Sequence, residues 1–118
     1  MRGKAERDSC NNDSVFVQFS GSVTAAGAAT YRIGTSSSTT WVLEECSGCH
    51  PSGWGWQDNG YGAGVLGPAI YFEKTGPQTI RIQTREDGLS IDQIVLSPER
   101  WLMAGPGLPR NDATIVPR

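Results

Sequence analysis

The sequence predicts an all-β fold from its glycine content, its low hydrophobic share and its short alternating segments. Glycine occurs 15 times and proline 7 times in the 118 residues, and only 37% of the residues are hydrophobic. Many short strands joined by turns suit this composition better than helices do. A chain of this length is expected to form a single domain with a modest core.

Four segments carry strand signals before the most regular part of the chain is reached. Residues 14–20 are rich in β-branched and aromatic side chains, with apolar positions that partly follow period two. Residues 29–33 predict a second strand, and residues 40–44, after a polar loop, predict a third. Residues 69–73 form an apolar run between turn signals, which predicts a buried strand.

The clearest alternation lies at residues 79–84, and it predicts a strand. An Asp-Gly turn at residues 87–88 follows, so a hairpin is expected, with residues 89–96 as its return strand. Within that return strand Asp92 and Gln93 are a candidate bulge.

The domain is expected to span residues 1–97. Residues 98–118 combine prolines and glycines with scattered apolar side chains. That composition suits a tail or an interdomain linker, so we predict no regular structure there.

Charge and hydropathy exclude two classes of partner. The formal net charge is −2 at pH 7, which disfavours a nucleic-acid partner bound through electrostatic attraction. No stretch approaches the roughly 18 consecutive apolar residues that a membrane span needs, and residues 1–10 lack the apolar middle of a signal peptide. We expect neither nucleic-acid binding nor membrane insertion.

The segment Cys46-Ser47-Gly48-Cys49-His50 matches the C-x-x-C-H signature of covalently attached haem. Haem would need a helical pocket and a second axial ligand, and the sequence predicts no such pocket. A loop disulfide between Cys46 and Cys49 is the favoured interpretation. Zinc ranks second, because a closed structural site needs a fourth ligand and the remaining cysteine, Cys10, is remote in sequence.

A glycine-rich loop between residues 45 and 67 carries aromatic side chains beside polar ones. Aromatic faces pack on the C–H patches of sugars, and polar side chains bond to sugar hydroxyls. Large aromatic side chains are also commonly buried, so a core role for the tryptophans stays open, as does a simple turn at Asp58-Asn59-Gly60. The candidate ligand-binding residues are Trp54, Trp56, Asp58, Asn59 and Tyr61, with Gln57 beside them.

Three stretches together resemble the galactose-binding-like jelly-roll modules of bacterial extracellular proteins, in particular carbohydrate-binding modules of families six and thirty-five. They are residues 13–18, the loop at 52–58 and the closing segment at 79–96, and the resemblance covers about residues 3–97. It implies a jelly-roll β-sandwich that lacks its N-terminal strands, because no acidic Glu-Ala-Glu-like element precedes Arg2. An extracellular or periplasmic location is implied as well.

The same resemblance implies a structural calcium ion, with Asp92 as an acidic ligand from the last strand. Asp92 also fits an outward strand position or a hydrogen-bonded bulge position, and both alternatives stay open. No other cofactor is expected.

Catalytic patterns are scarce. The sequence has no G-x-S-x-G or P-loop motif, and its single histidine, His50, precedes a proline. Acidic residues such as Glu44, Glu45, Asp58 or Glu86 could form a glycosidase pair, but nothing in the sequence places two of them face to face. We therefore expect no enzyme.

The sequence leaves two main functions open, and a haem or metal protein is a third class, which a visible absorption spectrum or a metal analysis would exclude. The first is a non-catalytic carbohydrate-binding accessory module of a larger extracellular protein, which binds a polysaccharide or glycan. The second is a structural or adhesive β module that packs against neighbouring domains and has no sugar site.

Overall fold

The computed structural model describes residues 1–117 and confirms the all-β prediction. These residues contain eight strands and no α-helix; a single 3-10 turn spans Glu6–Asp8. The strands are β1 (Arg2–Ala5), β2 (Ser14–Phe19), β3 (Ser22–Val23), β4 (Thr39–Val42), β5 (Gly55–Trp56), β6 (Tyr71–Phe72), β7 (Ile80–Thr84) and β8 (Leu89–Gln93). Within residues 1–117, helical structure is too short and too polar to cross a membrane.

The strands form three small sheets, and every strand pair is antiparallel. One sheet has the order β5-β1-β8, the second has the order β4-β2-β7, and β3 pairs with β6 in the third. Over residues 1–117 none of these sheets closes into a barrel.

The core joins side chains from both three-stranded sheets. Val15, Val17 and Phe19 alternate along β2 and point to one face, as period two requires. They pack with Trp41, which is 1% exposed, and with partly buried side chains of the other sheet such as Ile91. The alternation seen at residues 14–20 therefore marks a central strand that is apolar towards the core.

At Gln18 the opposite face of β2 is covered by a loop. The buried side chain of Gln18 donates from Nε2 to the carbonyl oxygens of Arg32, Thr35 and Ser37, at 3.0, 2.8 and 2.9 Å. The prediction of a strand at residues 29–33 is wrong. Tyr31 has a φ of 48°, which extended backbone does not allow, so the segment makes only isolated bridges.

The predicted hairpin of residues 79–84 and 89–96 is also wrong in its pairing. Both strands exist, but β7 pairs with β2 while β8 pairs with β1, so the chain crosses between sheets at residues 85–88. The register Ala5↔Leu89 and the hydrogen bond from the Glu6 amide to the Gly88 carbonyl, at 2.9 Å, tie the turn to β1 instead.

The strand predicted at residues 69–73 is short and only partly covered. It comprises Tyr71 and Phe72 and pairs with β3 alone. Tyr71 is 48% exposed, whereas Phe72 packs edge to face on Phe19 with ring centroids 5.7 Å apart. An apolar run thus forms a strand at the rim of the core rather than within it.

The C-terminal segment, described over residues 98–117, has no helix or strand in that range and lies along β5. The Trp56 amide donates to the Leu108 carbonyl at 2.9 Å, and the indole N–H donates to the Thr114 carbonyl at 3.0 Å. Gly55 allows this approach, because a Cβ there would collide with the Pro109 carbonyl. Segment and domain are therefore one packed unit over these residues.

Candidate functional site

An open groove of about 580 Å³ lies at one end of the β4-β2-β7 sheet. Its walls combine carboxylates, amides, a guanidinium group and one exposed phenol, a mixture that suits a polar ligand. The lining residues of this polar groove are Cys10, Asn11, Asp13, Thr40, Val42, Glu44, Asn59, Gly60, Tyr61, Arg85 and Glu86.

The strand register brings the charged residues of the groove together. Ser14 pairs with Val42, and the next residue of β2, Val15, pairs with Thr84. The start of β2 thus lies beside the ends of both neighbouring strands, as antiparallel pairing demands. Residues just outside these strand ends, at positions 13, 44, 85 and 86, must therefore meet at the same edge.

Asp13 is the best-covered member of the groove, with 1% exposure. Its Oδ2 accepts a hydrogen bond from the Glu44 amide at 2.9 Å, and its carbonyl accepts one from the Leu43 amide at 3.0 Å. Burial raises the pKa of Asp13 to about 6, helped by the nearby carboxylate of Glu86. Its carboxyl group therefore gains a proton in mildly acidic solution.

Glu86 behaves in the opposite way. Burial alone would raise its pKa, but hydrogen bonds from the Ser14 hydroxyl at 2.7 Å and the Asp13 amide at 3.1 Å outweigh burial and lower the pKa of Glu86 below its ordinary value. Arg85 adds a positive charge 3.0 Å from Glu86 Oε1 and also donates to the Ser14 hydroxyl at 2.7 Å. Glu86 is thus held as a carboxylate.

Two carboxyl groups with pKa values pushed apart are also the pattern of an acid and base pair. Here Asp13 is almost fully covered and holds the backbone of residues 43 and 44 in place. The Asp13 amide and the Ser14 hydroxyl in turn hold Glu86 at the wall of the groove.

Only some of the loop residues that were predicted to bind a ligand line the polar groove. Tyr61 is 56% exposed and lines the groove together with Asn59. Asp58 stabilises the loop instead, since its Oδ1 accepts hydrogen bonds from the Gly60 amide at 2.6 Å and the Gly67 amide at 3.4 Å.

The two tryptophans of the predicted platform lie elsewhere. Trp56 is 3% exposed and packs into the fold between β1 and the C-terminal segment, which is the core role that the sequence left open. Trp54 is half-buried, with the guanidinium of Arg2 4.8 Å from its ring centroid. Neither tryptophan lines the polar groove, so Tyr61 is the aromatic side chain that the groove offers.

The cysteines and Asp92 occupy defined positions. Cys46 and Cys49 form a disulfide with their Cα atoms 5.0 Å apart, and Cys10 carries a free thiol.

Asp92 forms an ion pair with the buried guanidinium of Arg2. A cation already faces this carboxylate, and Asp92 belongs to no group of three or more Cys, His, Asp or Glu ligands within residues 1–117, so the surroundings do not fit calcium.

Sequence reasoning did not single out Asp13, Thr40 or Arg85 as site residues. Each is an ordinary polar residue at a strand end or within a strand, and only the pairing of β2 with β4 and β7 brings them together. No local signal marks them, and the acidic residues Glu44 and Glu86 had been named only as members of a conceivable glycosidase pair.

No family model, curated protein or solved structure matches this chain. The site must therefore be interpreted from its own geometry.

Proposed function

We propose that this chain is a non-catalytic carbohydrate-binding module and that the polar groove holds the sugar. The observation that supports this most strongly is the exposed phenol ring of Tyr61 at the wall of a groove of about 580 Å³ that also carries carboxylate, amide and guanidinium groups. A pyranose ring offers an apolar face to stack on an aromatic ring and a rim of hydroxyl groups that need directional partners.

Hydroxyl recognition would come from the charged and amide side chains that line the groove. Glu86 presents acceptor oxygens, while the guanidinium of Arg85 and the side-chain amide of Asn59 present donors. Carboxylates and guanidinium groups form stronger hydrogen bonds than neutral partners do. Such a pairing of charged groups with neutral hydroxyls suits a neutral glycan better than an anionic one, because the acidic wall would repel anions.

A module of this kind would belong to a larger exported protein. The Cys46–Cys49 disulfide supports an oxidising compartment. One open groove with one aromatic ring gives weak binding by itself, and tethering to another domain raises the effective concentration of that domain at the glycan.

Affinity electrophoresis against plant, algal and microbial polysaccharides tests the proposal, with Tyr61→Ala as the test variant. Tyr71→Ala is the matched control, since Tyr71 is a similarly exposed tyrosine, 48% against 56%, outside the groove. We expect at least one polysaccharide to retard the parent chain and the Tyr71 variant alike. Loss of a stacking ring should weaken binding by about tenfold.

The second candidate is a structural module that packs against neighbouring domains. Large apolar side chains stay exposed after β8 and in the C-terminal segment, including Leu96, Leu102 and Met103. If no polysaccharide retards a chain shown to be folded, the carbohydrate proposal fails and this second function takes its place.

A further inference from the structure

We infer that Cys10, Glu44 and His50 form a zinc site at the rim of the polar groove. The thiol sulfur, a carboxylate oxygen and an imidazole nitrogen of these residues all lie within 4.8 Å of one another. The proposal goes beyond glycan binding and does not depend on it.

The three ligand atoms come from three separate segments. Cys10 lies in the turn before β2, Glu44 follows β4, and His50 follows the disulfide loop. Since Ser14 pairs with Val42, the segments before β2 and after β4 are neighbours. The same pairing that forms the groove therefore brings a cysteine beside a glutamate that is remote in sequence.

The disulfide assigns the cysteines to different roles. Cys46 and Cys49 bond to each other, which leaves Cys10 as the free thiol among the described residues. The short loop that they close is bonded to Glu44 through the Gly48 amide, and His50 directly follows it. A zinc site made of Cys46, Cys49 and His50 is excluded while this disulfide is formed, because zinc binds thiolates.

Glu44 is held in position for this role. Its amide donates to Asp13 Oδ2 at 2.9 Å, and its own Oε1 accepts a hydrogen bond from the Gly48 amide at 3.1 Å. A carboxylate has further lone pairs beyond that bond, so one remains for a metal ion. Hydrogen bonds of this kind orient metal ligands and are typical of metal sites.

The ligand set matches zinc in chemistry, charge and size. Zinc accepts sulfur, nitrogen and oxygen ligands at about 2.0 to 2.3 Å, which places the ligand atoms roughly 3.5 Å apart in a tetrahedron. The exposed imidazole of His50 and the half-buried Cys10 and Glu44 can close from within 4.8 Å to that spacing by side-chain rotation. A thiolate and a carboxylate together balance the two positive charges of the ion.

Three protein ligands leave one tetrahedral position for water or for a ligand in the groove. Cys10 and Glu44 both line the polar groove, so this position opens into it. A fully closed structural site takes four protein ligands instead. The geometry thus gives an open zinc site beside the proposed glycan site.

The inference is tested by measuring the zinc affinity of the chain with the Cys46–Cys49 disulfide formed and Cys10 as a free thiol. The affinity is measured by competition with a chromophoric chelator. The test variants are Cys10→Ser, Glu44→Gln and His50→Gln, and Glu45→Gln is the matched control, because Glu45 is an adjacent acid outside the cluster. We expect one zinc ion per chain, a loss of more than about tenfold in affinity in each test variant, and no change in the control.

Cobalt substitution gives a second readout that does not depend on stability. Cobalt bound at this site should show a sulfur-to-metal charge-transfer band that Cys10→Ser abolishes. Absence of stoichiometric zinc binding by the parent chain would overturn the inference. So would zinc binding that Cys10→Ser leaves unchanged, or an equal loss in Glu44→Gln and Glu45→Gln, which indicates unspecific binding to acidic residues.

Discussion

Replacing Asp13 by asparagine should stabilise the folded protein at neutral pH. Burial raises the pKa of Asp13 from its ordinary 3.8 to about 6. An acid with a higher pKa in the folded than in the unfolded state binds more protons when folded, between those two values. Stability therefore falls as pH rises from about 4 to about 6, and the loss persists at neutral pH.

The size of the effect follows from the two pKa values. At about 1.4 kcal/mol for each unit of pKa, the step from 3.8 to about 6 sets a ceiling of about 3 kcal/mol. Glu86 acts in the opposite direction, since its lowered pKa contributes stability that is present above its ordinary pKa and lost as the pH falls. We expect Asp13→Asn to gain about 1 to 2 kcal/mol at neutral pH.

The asparagine side chain can keep the local contacts. Its amide oxygen can accept from the Glu44 amide, as Asp13 Oδ2 does at 2.9 Å, and its NH₂ group can donate towards the carboxylate of Glu86. Burial of a neutral amide also avoids the desolvation of a charge. No cavity is created, because the two side chains have almost the same size.

Urea denaturation at about pH 4 and about pH 7.5, followed by the fluorescence of the buried tryptophans, measures the change. Asp87→Asn is the matched control, since Asp87 is an exposed acid in the neighbouring turn and its replacement should stay within about 0.5 kcal/mol. An Asp13→Asn variant that is less stable than the parent at neutral pH would refute the reasoning. An unchanged pH dependence between about 4 and 6 would refute it as well.

Two further predictions concern the scaffold around the groove. Arg2→Met should lower the free energy of unfolding by about 1 to 2 kcal/mol, because it removes the bonds of the buried guanidinium to the Asp92 carboxylate and to the Asp112 carbonyl. A change below about 0.5 kcal/mol in urea denaturation would contradict this. Gly55→Ala should release the C-terminal segment, because its Cβ collides with the Pro109 carbonyl, and limited proteolysis should then cut faster after residue 97. Gly105→Ala is its control, with only ordinary contacts at 3.6 and 3.8 Å, and equal cleavage of both variants would show that the segment does not depend on β5.

The local sequence pattern was sufficient to predict the positions of the strands at the centre of the fold. β2, β4 and β7 lie at the segments of residues 14–20, 40–44 and 79–84 that the sequence predicted, within one or two residues at each end. These segments have side chains that favour extended backbone and an apolar face to bury.

Pairing between strands could not be predicted, because it depends on contacts remote in sequence. The Asp-Gly turn favours a local hairpin, but β8 gains more by pairing with β1, where Ala5 and Leu89 are partners in the core. The positive φ of Tyr31 is another case, since the loop is held by the side chains of Gln18 and Arg32 rather than by its own pattern.

The candidate site was predicted in part for the same reason. Tyr61 and Asn59 were candidate ligand-binding residues, and both line the groove. Glu44 and Glu86 line it too, but the sequence offered them only as members of a catalytic pair that it did not support. Trp56 was a candidate too, but period-two spacing and aromatic chemistry fit a core residue equally well, and burial decided between them.

Amide chemical-shift mapping tests the carbohydrate proposal most directly. A ¹⁵N-labelled chain is titrated with the glycan panel, with a chelator present so that metal binding cannot contribute. The account predicts shifts that saturate at groove residues such as Asn11, Thr40 and Tyr61, with Tyr71 unaffected. Saturating shifts confined to other surfaces, or no shift with any glycan in a folded chain, would contradict it.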